Sequence, residues 1–156
     1  MKEFFDFLIE NQITVATAES CTGGNIAAAL VAHPGISSVF LAGLVTYANS
    51  AKMRLLGVRE DILRRYGAVS PQCAEAMLEG AVKATGAQAA VCTTGIAGPG
   101  GGSREKPVGL VYIGVLYQGT SFIQRCVFCG SRAEIIEKAK NEALFLLKWK
   151  VQSKGG

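Results

Sequence analysis

The chain has 156 residues, a net charge of +4 and 49% hydrophobic residues, and 18% of its residues are charged. This composition suits one folded domain and argues against a disordered chain. Lysines and arginines are interleaved with acidic residues, so no nucleic-acid-binding patch is expected. Three acidic side chains interrupt the apolar residues of the first segment (MKEFFDFLIENQ), so neither a signal peptide nor a membrane span is expected there. Five cysteines without framework spacing predict free thiols in a reducing cytoplasm.

Hydrophobic periodicity and turn residues predict helices and strands in alternation. The predicted helices cover residues 2–11, 24–32, 51–56, 60–66, 71–84 and 133–148, and the predicted strands cover residues 14–18, 39–47, 89–94, 108–117 and 122–128. Ser70 is expected to cap the helix that starts at Pro71. The last two strands are expected to form a hairpin around Gln118 and Gly119.

This order of elements predicts an α/β fold, a three-layer sandwich with a mixed sheet flanked by helices. One domain is expected over residues 1–150, followed by a frayed tail over residues 151–156. In such folds ligands bind beyond the carboxyl ends of the strands. Three segments with chemical character follow predicted strands, namely residues 19–24, 47–52 and 93–103.

The first segment, ESCTGG, is predicted to be a turn between a strand and a helix. Its glycines permit a tight turn, and free N–H groups at the start of the helix can hold an anion or a developing oxyanion. Ser20 would direct its hydroxyl into such a site. Alternatively, Ser20 or Thr22 only caps the helix, and spacing alone favours neither interpretation.

A serine nucleophile needs a base. The only histidine, His33, is expected on the surface at the far end of the helix, more than roughly 10 Å from Ser20. Lys52, in the first turn of a later helix, is the alternative, because a partly buried lysine has a lowered pKa and can accept a proton. Tyr47 could orient this lysine or relay the proton. Taken alone, however, Lys52 is more simply a solvated helix residue.

The third segment, TTGIAGPGGGS, places many glycines after a strand, so that backbone N–H groups can approach an anion closely. It matches neither a Walker A loop nor a dinucleotide fingerprint. A flexible surface loop is the simpler alternative, but the position at a strand end favours ligand contact. Cys126 and Cys129 lack a second ligand pair, so no metal site is expected. Arg132, at the start of the last helix, is available to a phosphate.

Four motifs in the same order resemble the nicotinamide-nucleotide amidases, also known as the C-terminal domain of CinA proteins: AESCTGG, VTYANSAKMRLLGV, GAVS and TGIAGPGGGSREKPVG. The similarity runs from about residue 3 to residue 148. The resemblance implies hydrolysis of the carboxamide of nicotinamide mononucleotide to nicotinate mononucleotide and ammonia, without a cofactor. It implies Ser20 as nucleophile, Lys52 as base and Tyr47 as their helper.

The predicted substrate contacts from the turn and the glycine loop are Cys21, Thr22, Gly23, Gly95, Gly98, Gly100 and Gly101. The resemblance adds Ser37, Thr94 and Arg132. The chain departs from the family pattern at Pro71 and Gln72, at Gln88, and at Ser131 before Arg132, which bears on substrate affinity or helix capping and not on the chemistry. Longer CinA proteins carry a further N-terminal domain, so a stand-alone form and an excised domain both remain open.

Two other function classes remain open. The fold could bind a nucleotide without turning it over, or Cys21 could be the nucleophile, with its pKa lowered by the helix N-terminus. The expected partner is a small pyridine nucleotide, with no nucleic acid and no membrane. A homo-oligomer is also expected.

Overall fold

The structure is a computed structural model and describes residues 1–153. Its helices are α1 (Lys2–Glu10), α2 (Asn25–Val31), α3 (Asn49–Leu56), α4 (Glu60–Tyr66), α5 (Pro71–Thr85) and α6 (Arg132–Gln152). Its strands are β1 (Val15–Glu19), β2 (Phe40–Val45), β3 (Ala89–Gly95), β4 (Leu110–Tyr117) and β5 (Thr120–Val127). A short 3-10 helix that was not predicted, Ile36–Ser38, precedes β2. None of the helices described is both long and apolar enough to cross a membrane.

The five strands form one sheet in the order β2-β1-β3-β4-β5. Strand β1 pairs in parallel with β2 and β3, whereas β3–β4 and β4–β5 are antiparallel. The mixed sheet and the α/β class are therefore confirmed. Because β1, β2 and β3 run in the same direction, the segments that follow them meet at one edge of the sheet.

Helices cover both faces of the sheet, which gives the predicted three layers. Helices α1, α2 and α6 bury apolar side chains against one face, around Phe4, Ile26 and Leu147. Helices α3, α4 and α5 cover the other face, around Leu56 and Met77. The central strands β1, β3 and β4 are buried on both sides, so their residues are mostly apolar instead of alternating.

Local signals that the sequence carries explain several boundaries. The Ser70 hydroxyl accepts a hydrogen bond from the Cys73 N–H at 3.1 Å, which confirms the predicted cap of α5. Gln118 and Gly119 both have positive φ, as a two-residue hairpin turn between twisted strands requires. All five cysteines are free thiols, as predicted.

Two predictions about the periphery are wrong. Helix α6 continues to Gln152 and Val151 is buried, so the predicted frayed tail does not begin at residue 151. Residues 154–156 of that tail lie outside the described residues. His33 is not a surface residue, because its ring packs edge-on against Phe5 and its Nε2 lies 2.8 Å from Asp6 Oδ1. Helix α1 covers this end of the molecule, and no local pattern around His33 indicates that.

The departures from the family pattern have structural roles. The Gln88 side-chain oxygen accepts a hydrogen bond from the Thr14 N–H at 3.0 Å, which ties the start of β3 to the segment before β1. Ser131 caps α6 and forms a reciprocal capping box with Glu134. Pro71 occupies the first turn of α5, where its missing N–H costs nothing. These substitutions therefore preserve the framework around the site.

Candidate active site

A cavity of about 260 Å³ lies where the segments following β1, β2 and β3 meet. The first turn of α6 completes its wall. Its lining combines predicted and unpredicted residues: Ser20, Cys21, Tyr47, Asn49, Lys52, Ala68, Val69, Thr94, Gly95, Ile96, Ala97, Gly98, Gly100, Gly101 and Arg132. Most of the predicted site residues therefore meet in one place.

Ser20 and Lys52 are in direct contact inside this cavity. The Lys52 Nζ lies 3.0 Å from the Ser20 Oγ, although 32 positions separate the two residues in the chain. The same nitrogen donates to the Thr46 carbonyl at 2.7 Å and to the Tyr47 carbonyl at 3.3 Å. Lys52 is only 1% exposed, which contradicts its interpretation as a solvated helix residue.

The surroundings of Lys52 favour its neutral form. Its three hydrogen-bond partners are uncharged oxygens, and burial lowers the pKa of its ammonium group. A neutral amine can donate its two N–H groups to the carbonyls of Thr46 and Tyr47. Its lone pair is then directed at the Ser20 hydroxyl, which is the arrangement a general base needs.

The turn that carries Ser20 is held by the buried carboxylate of Glu19. Its Oε1 accepts from the Ile26 N–H at 2.9 Å and from the Gly24 N–H at 3.2 Å, and its Oε2 accepts from the Ala27 N–H at 3.0 Å. The Thr22 hydroxyl donates to the same Oε1 at 2.7 Å. The prediction that free N–H groups at the start of this helix hold an external anion is therefore wrong, because the protein's own carboxylate occupies them.

Thr22 and Gly23 shape this turn and do not line the cavity. The Thr22 hydroxyl also pairs with the Thr93 hydroxyl at 2.7 Å, so its polar group is directed into the protein. Gly23 is exposed and has a φ of 57°, a left-handed conformation that glycine adopts without strain. The prediction that these two residues contact the substrate is corrected accordingly.

Cys21 lines the cavity but is poorly suited to act as a nucleophile. Burial raises the pKa of its thiol to about 11, so the thiol stays protonated near neutral pH. The expected lowering by the helix N-terminus fails because Glu19 already neutralises that terminus. The Cys21 backbone N–H, however, donates to no other residue within residues 1–153. It remains available as a hydrogen-bond donor beside Ser20.

The glycine loop after β3 forms the opposite wall. The Thr94 hydroxyl donates to the Ala68 carbonyl at 2.7 Å, and this bond fixes the base of the loop without contacting Ser20. Beyond it, the N–H groups of Ala97, Gly98, Gly100 and Gly101 have no acceptor among the described residues. A run of unpaired amides beside a cavity suits a bound anion.

Arg132 joins this loop to the segment after β2. Its guanidinium donates to the Gly98 carbonyl at 2.7 Å and to the Tyr47 hydroxyl at 2.9 Å. Tyr47 therefore touches Lys52 only through its backbone carbonyl, and its hydroxyl takes no part in the Ser20–Lys52 contact. The predicted proton relay through Tyr47 does not fit this geometry.

Ser37 is the one predicted residue that lies far from the cavity. It belongs to the 3-10 helix before β2, at the amino end of the parallel strands, whereas the cavity is at their carboxyl ends. The cavity residues absent from the prediction are Asn49, Ala68, Val69, Ile96 and Ala97. Each belongs to a motif already noted, YANSAK, GAVS or TGIAG, so membership in these motifs was the available signal.

Residues 1–153 hold no group of three His, Cys, Asp or Glu side chains that could bind a metal ion. Lys52 and Arg132 are the only basic residues in the cavity lining, which contains no Asp or Glu. Proton transfer at one end and anion binding at the other are therefore what these residues can supply.

Comparisons with known proteins identify the family and the fold of this chain. Residues 1–151 match the CinA C-terminal domain. A competence/damage inducible protein, CihA, from Agrobacterium tumefaciens has 43% identity and a TM-score of 0.87, over 94% of this chain and 92% of that one. The competence damage-inducible protein A from Klebsiella pneumoniae has 35% identity and a TM-score of 0.92, over 97% and 96% of the two chains.

Longer relatives carry the same domain. A competence-damage inducible protein of Clostridium beijerinckii is 52% identical over 141 residues, which are 90% of this chain. The match covers only 34% of that relative, so this chain spans about a third of its length. With the family match over residues 1–151 and the shared fold, the chain belongs to the CinA C-terminal domain family.

Proposed function

We propose that this protein is an amidohydrolase that converts the carboxamide of nicotinamide mononucleotide to a carboxylate and releases ammonia. The observation that supports this most directly is the contact between the Ser20 hydroxyl and the buried Lys52 amine. A serine beside a neutral lysine is a known alternative to a serine–histidine pair in acyl transfer. The resemblance of the motifs to the amidases supplies the substrate class.

In the first half of the reaction, the Ser20 Oγ attacks the carboxamide carbon while Lys52 takes the hydroxyl proton. The carbonyl oxygen becomes an oxyanion, beside which the unpaired Cys21 N–H is available as a donor. The C–N bond then breaks as protonated Lys52 returns the proton to the departing nitrogen, which leaves as ammonia. The product of this half is an ester between Ser20 and the nicotinate group.

In the second half, water attacks the ester and Lys52 accepts a proton from it. The ester bond breaks, the Ser20 oxygen recovers its proton from Lys52, and nicotinate mononucleotide leaves. Lysine thus acts as a base towards each nucleophile and as an acid towards each leaving group. No redox change or cofactor enters this balance.

The proposed orientation of the substrate follows from where anion donors remain unpaired. Glu19 fills the N-terminus of α2, so the substrate phosphate is not placed there. The glycine-loop amides and Arg132 lie on the other side of the cavity and favour the phosphate. The cavity volume of about 260 Å³ lies slightly below the usual range of roughly 300–1,000 Å³ for ligand sites, which favours a mononucleotide over a dinucleotide.

The test is ammonia release from four compounds at equal concentration: nicotinamide mononucleotide, its riboside, free nicotinamide and NAD. The mononucleotide should be hydrolysed with the highest kcat/KM, and the Ser20→Ala variant should release no ammonia above background. Binding of the mononucleotide without any ammonia from the parent protein would replace this proposal with a nucleotide-binding module. Equal turnover of free nicotinamide would refute the phosphate site.

A further inference from the structure

Lys52 is buried in the cavity without a counter-ion. Within residues 1–153 its Nζ donates only to uncharged oxygens, the Ser20 hydroxyl and the carbonyls of Thr46 and Tyr47. None of the ion pairs in this part of the chain involves Lys52, and the cavity lining contains no Asp or Glu. A second positive charge brought into the cavity would therefore act on Lys52 with no acidic side chain in the lining to offset it.

Two thiols face Lys52 from neighbouring elements, and neither supplies a negative charge near neutral pH. Burial lowers the pKa of Lys52, and the Cys73 thiol of α5 and the Cys21 thiol after β1 act in the opposite direction. Both thiols have their own pKa raised by burial, so they stay protonated near neutral pH. Their effect on Lys52 is therefore absent where the enzyme works.

The other titratable groups around the cavity are positive or engaged elsewhere. The Glu19 carboxylate is occupied by the N–H groups at the start of α2. The Arg132 guanidinium, from α6, is itself positive and donates to the Tyr47 hydroxyl. Lys106 adds another positive charge behind the wall formed by residues 68 and 69, where it donates to a backbone carbonyl. The protonation of Lys52 is therefore open to the charge of whatever ligand enters.

The substrate of the proposed function, on which this inference rests, carries a fixed positive charge. In nicotinamide mononucleotide the ring nitrogen is bonded to the ribose, so the ring is a pyridinium cation. Free nicotinamide has the same carboxamide on a neutral ring. The carboxamide that Ser20 attacks is thus attached directly to the charged ring of the nucleotide.

The geometry of attack fixes how close this charge comes to Lys52. The Lys52 Nζ lies 3.0 Å from the Ser20 Oγ. An attacking oxygen lies roughly 3 Å from the carbonyl carbon, and the ring nitrogen is about 4 Å from that carbon, so the charge comes to roughly 5 to 8 Å from the Nζ. At an effective dielectric constant of about 20, a unit charge at this separation lowers the pKa of an amine by about two pH units, and the more distant phosphate offsets part of this.

We propose that the pyridinium charge of the substrate keeps Lys52 neutral in the bound complex, so that the ligand itself prepares the base that activates Ser20. The site then accepts a carboxamide on a cationic, N-substituted pyridine ring and discriminates against the same carboxamide on a neutral ring. By linkage the converse also holds, and a protonated Lys52 weakens the binding of the cation by the same factor. A change of one to two pH units corresponds to a difference in affinity of about 10- to 100-fold.

The first experiment counts the protons that are released when a ligand binds. The Ser20→Ala variant, which binds without turnover, is titrated calorimetrically in buffers of different ionisation enthalpy, from about pH 6 to about pH 10. The ligands are nicotinamide mononucleotide and the 5′-phosphate of benzamide riboside, whose ring has the same shape but no charge. Midway between the free and bound pKa of Lys52, the cation should release roughly half a proton or more beyond the analogue. Its affinity should also rise with pH about 10- to 100-fold more than that of the analogue.

A matched control separates Lys52 from the substrate phosphate, which itself titrates near about pH 6. Both ligands carry this phosphate, so its contribution cancels in the comparison. In the double variant Ser20→Ala, Lys52→Met the difference between the ligands should vanish. Equal proton release by both ligands from Ser20→Ala, or a difference that persists without Lys52, would overturn the proposal. If circular dichroism shows that the double variant does not fold, the comparison of the ligands in Ser20→Ala alone decides.

The second experiment uses the active parent protein. The acidic limb of kcat reports the enzyme with substrate bound, and the acidic limb of kcat/KM reports the free enzyme. For nicotinamide mononucleotide the limb of kcat should lie roughly one to two pH units below that of kcat/KM. Limbs at the same pH would overturn the proposal. A parent protein that releases no ammonia would refute the proposed function instead, and calorimetry would still decide whether a bound cation displaces the proton of Lys52.

Discussion

The turn after β1 and the glycine loop after β3 reach the same cavity from parallel strands, but they use their backbone amides in opposite ways. In the turn, Glu19 takes the N–H groups of Gly24, Ile26 and Ala27, so the start of α2 is satisfied and the turn that carries Ser20 is fixed. In the loop, the amides of residues 97, 98, 100 and 101 stay unpaired within the described chain. One wall holds the reacting hydroxyl in place, and the other leaves donors for the ligand.

A glycine-rich strand end is therefore not by itself an anion site. Both segments have the glycines and the position that favour anion binding, yet in the turn Glu19 occupies the N–H groups at the start of the helix, whereas the loop keeps several amides free. The deciding residue is a carboxylate immediately before the nucleophile. Changes in the turn should therefore affect kcat, whereas changes around the loop should affect KM.

The largest effect is expected from Ser20→Ala, which removes the attacking oxygen. Turnover should fall by about 10⁴-fold or more, as for other serine nucleophiles. Binding of nicotinamide mononucleotide, measured by calorimetry, should change little because the loop wall is intact. Cys21→Ala is the control and should retain activity, since its thiol stays protonated. An inactive Cys21→Ala beside an active Ser20→Ala would show a cysteine mechanism instead.

Replacing the base should be nearly as damaging. Lys52→Met keeps the length of the side chain but removes the amine, and kcat should fall by about 10³-fold. The double variant with Ser20→Ala should be no worse than Ser20→Ala alone, because the two residues act as one unit. Thermal unfolding should show only a small change in stability, since methionine is easier to bury than an amine, which offsets the donor lost by the Thr46 and Tyr47 carbonyls. A large loss of stability would indicate that Lys52 serves the fold and not the reaction.

The pH dependence follows from the direction of the Lys52 shift. Its pKa is lowered by burial, so the neutral amine is present at a lower pH than for an exposed lysine. Below that folded-state pKa, kcat/KM should fall about tenfold per pH unit as Lys52 becomes protonated. The free energy of unfolding should also rise with pH. The unfolded chain binds the Lys52 proton more tightly than the folded chain does, so the rise should occur between the folded-state pKa and 10.5, the pKa of an ordinary lysine. A flat pH–rate profile down to pH 5 would contradict a lysine base.

A smaller effect on kcat is expected from Glu19→Gln. The amide keeps the shape but presents an NH₂ group to backbone donors, so the turn that carries Ser20 should shift. We expect a decrease in kcat of about 30-fold with little change in KM, together with a lower melting temperature. Thr93→Val removes the neighbouring hydroxyl contact and leaves the carboxylate–amide bonds in place. It should lower the melting temperature similarly with a much smaller loss of kcat, and equal losses in both variants would assign Glu19 a purely structural role.

The sequence predicted the layers and the meeting of the segments that carry Ser20 and Lys52 because these depend on regular features, whereas Arg132 was placed there by the resemblance. Periodic apolar residues define the strands, and parallel strands bring the segments that follow them to one edge. The wrong predictions depend on the direction of side chains and on contacts between residues that are distant in the sequence. Glu19 accepts hydrogen bonds from the first turn of α2, and Asp6 of α1 bonds to His33. Neither contact can be predicted from local residue spacing. Ser37 was placed at the site by resemblance alone, and the structure puts it at the amino end of the parallel strands, away from the cavity.

The smallest effect concerns the loop wall and Arg132. If its guanidinium binds the substrate phosphate, Arg132→Ala should raise the KM for nicotinamide mononucleotide about tenfold and leave kcat nearly unchanged, because this contact is made equally before and during the reaction. The riboside, which lacks the phosphate, should show no such increase. Tyr47→Phe removes the hydroxyl that accepts from Arg132 but keeps the carbonyl that accepts from Lys52, so it should change KM less than Arg132→Ala does. An equal rise in KM for the riboside would mean that Arg132 holds Gly98 and Tyr47 in place and does not bind phosphate.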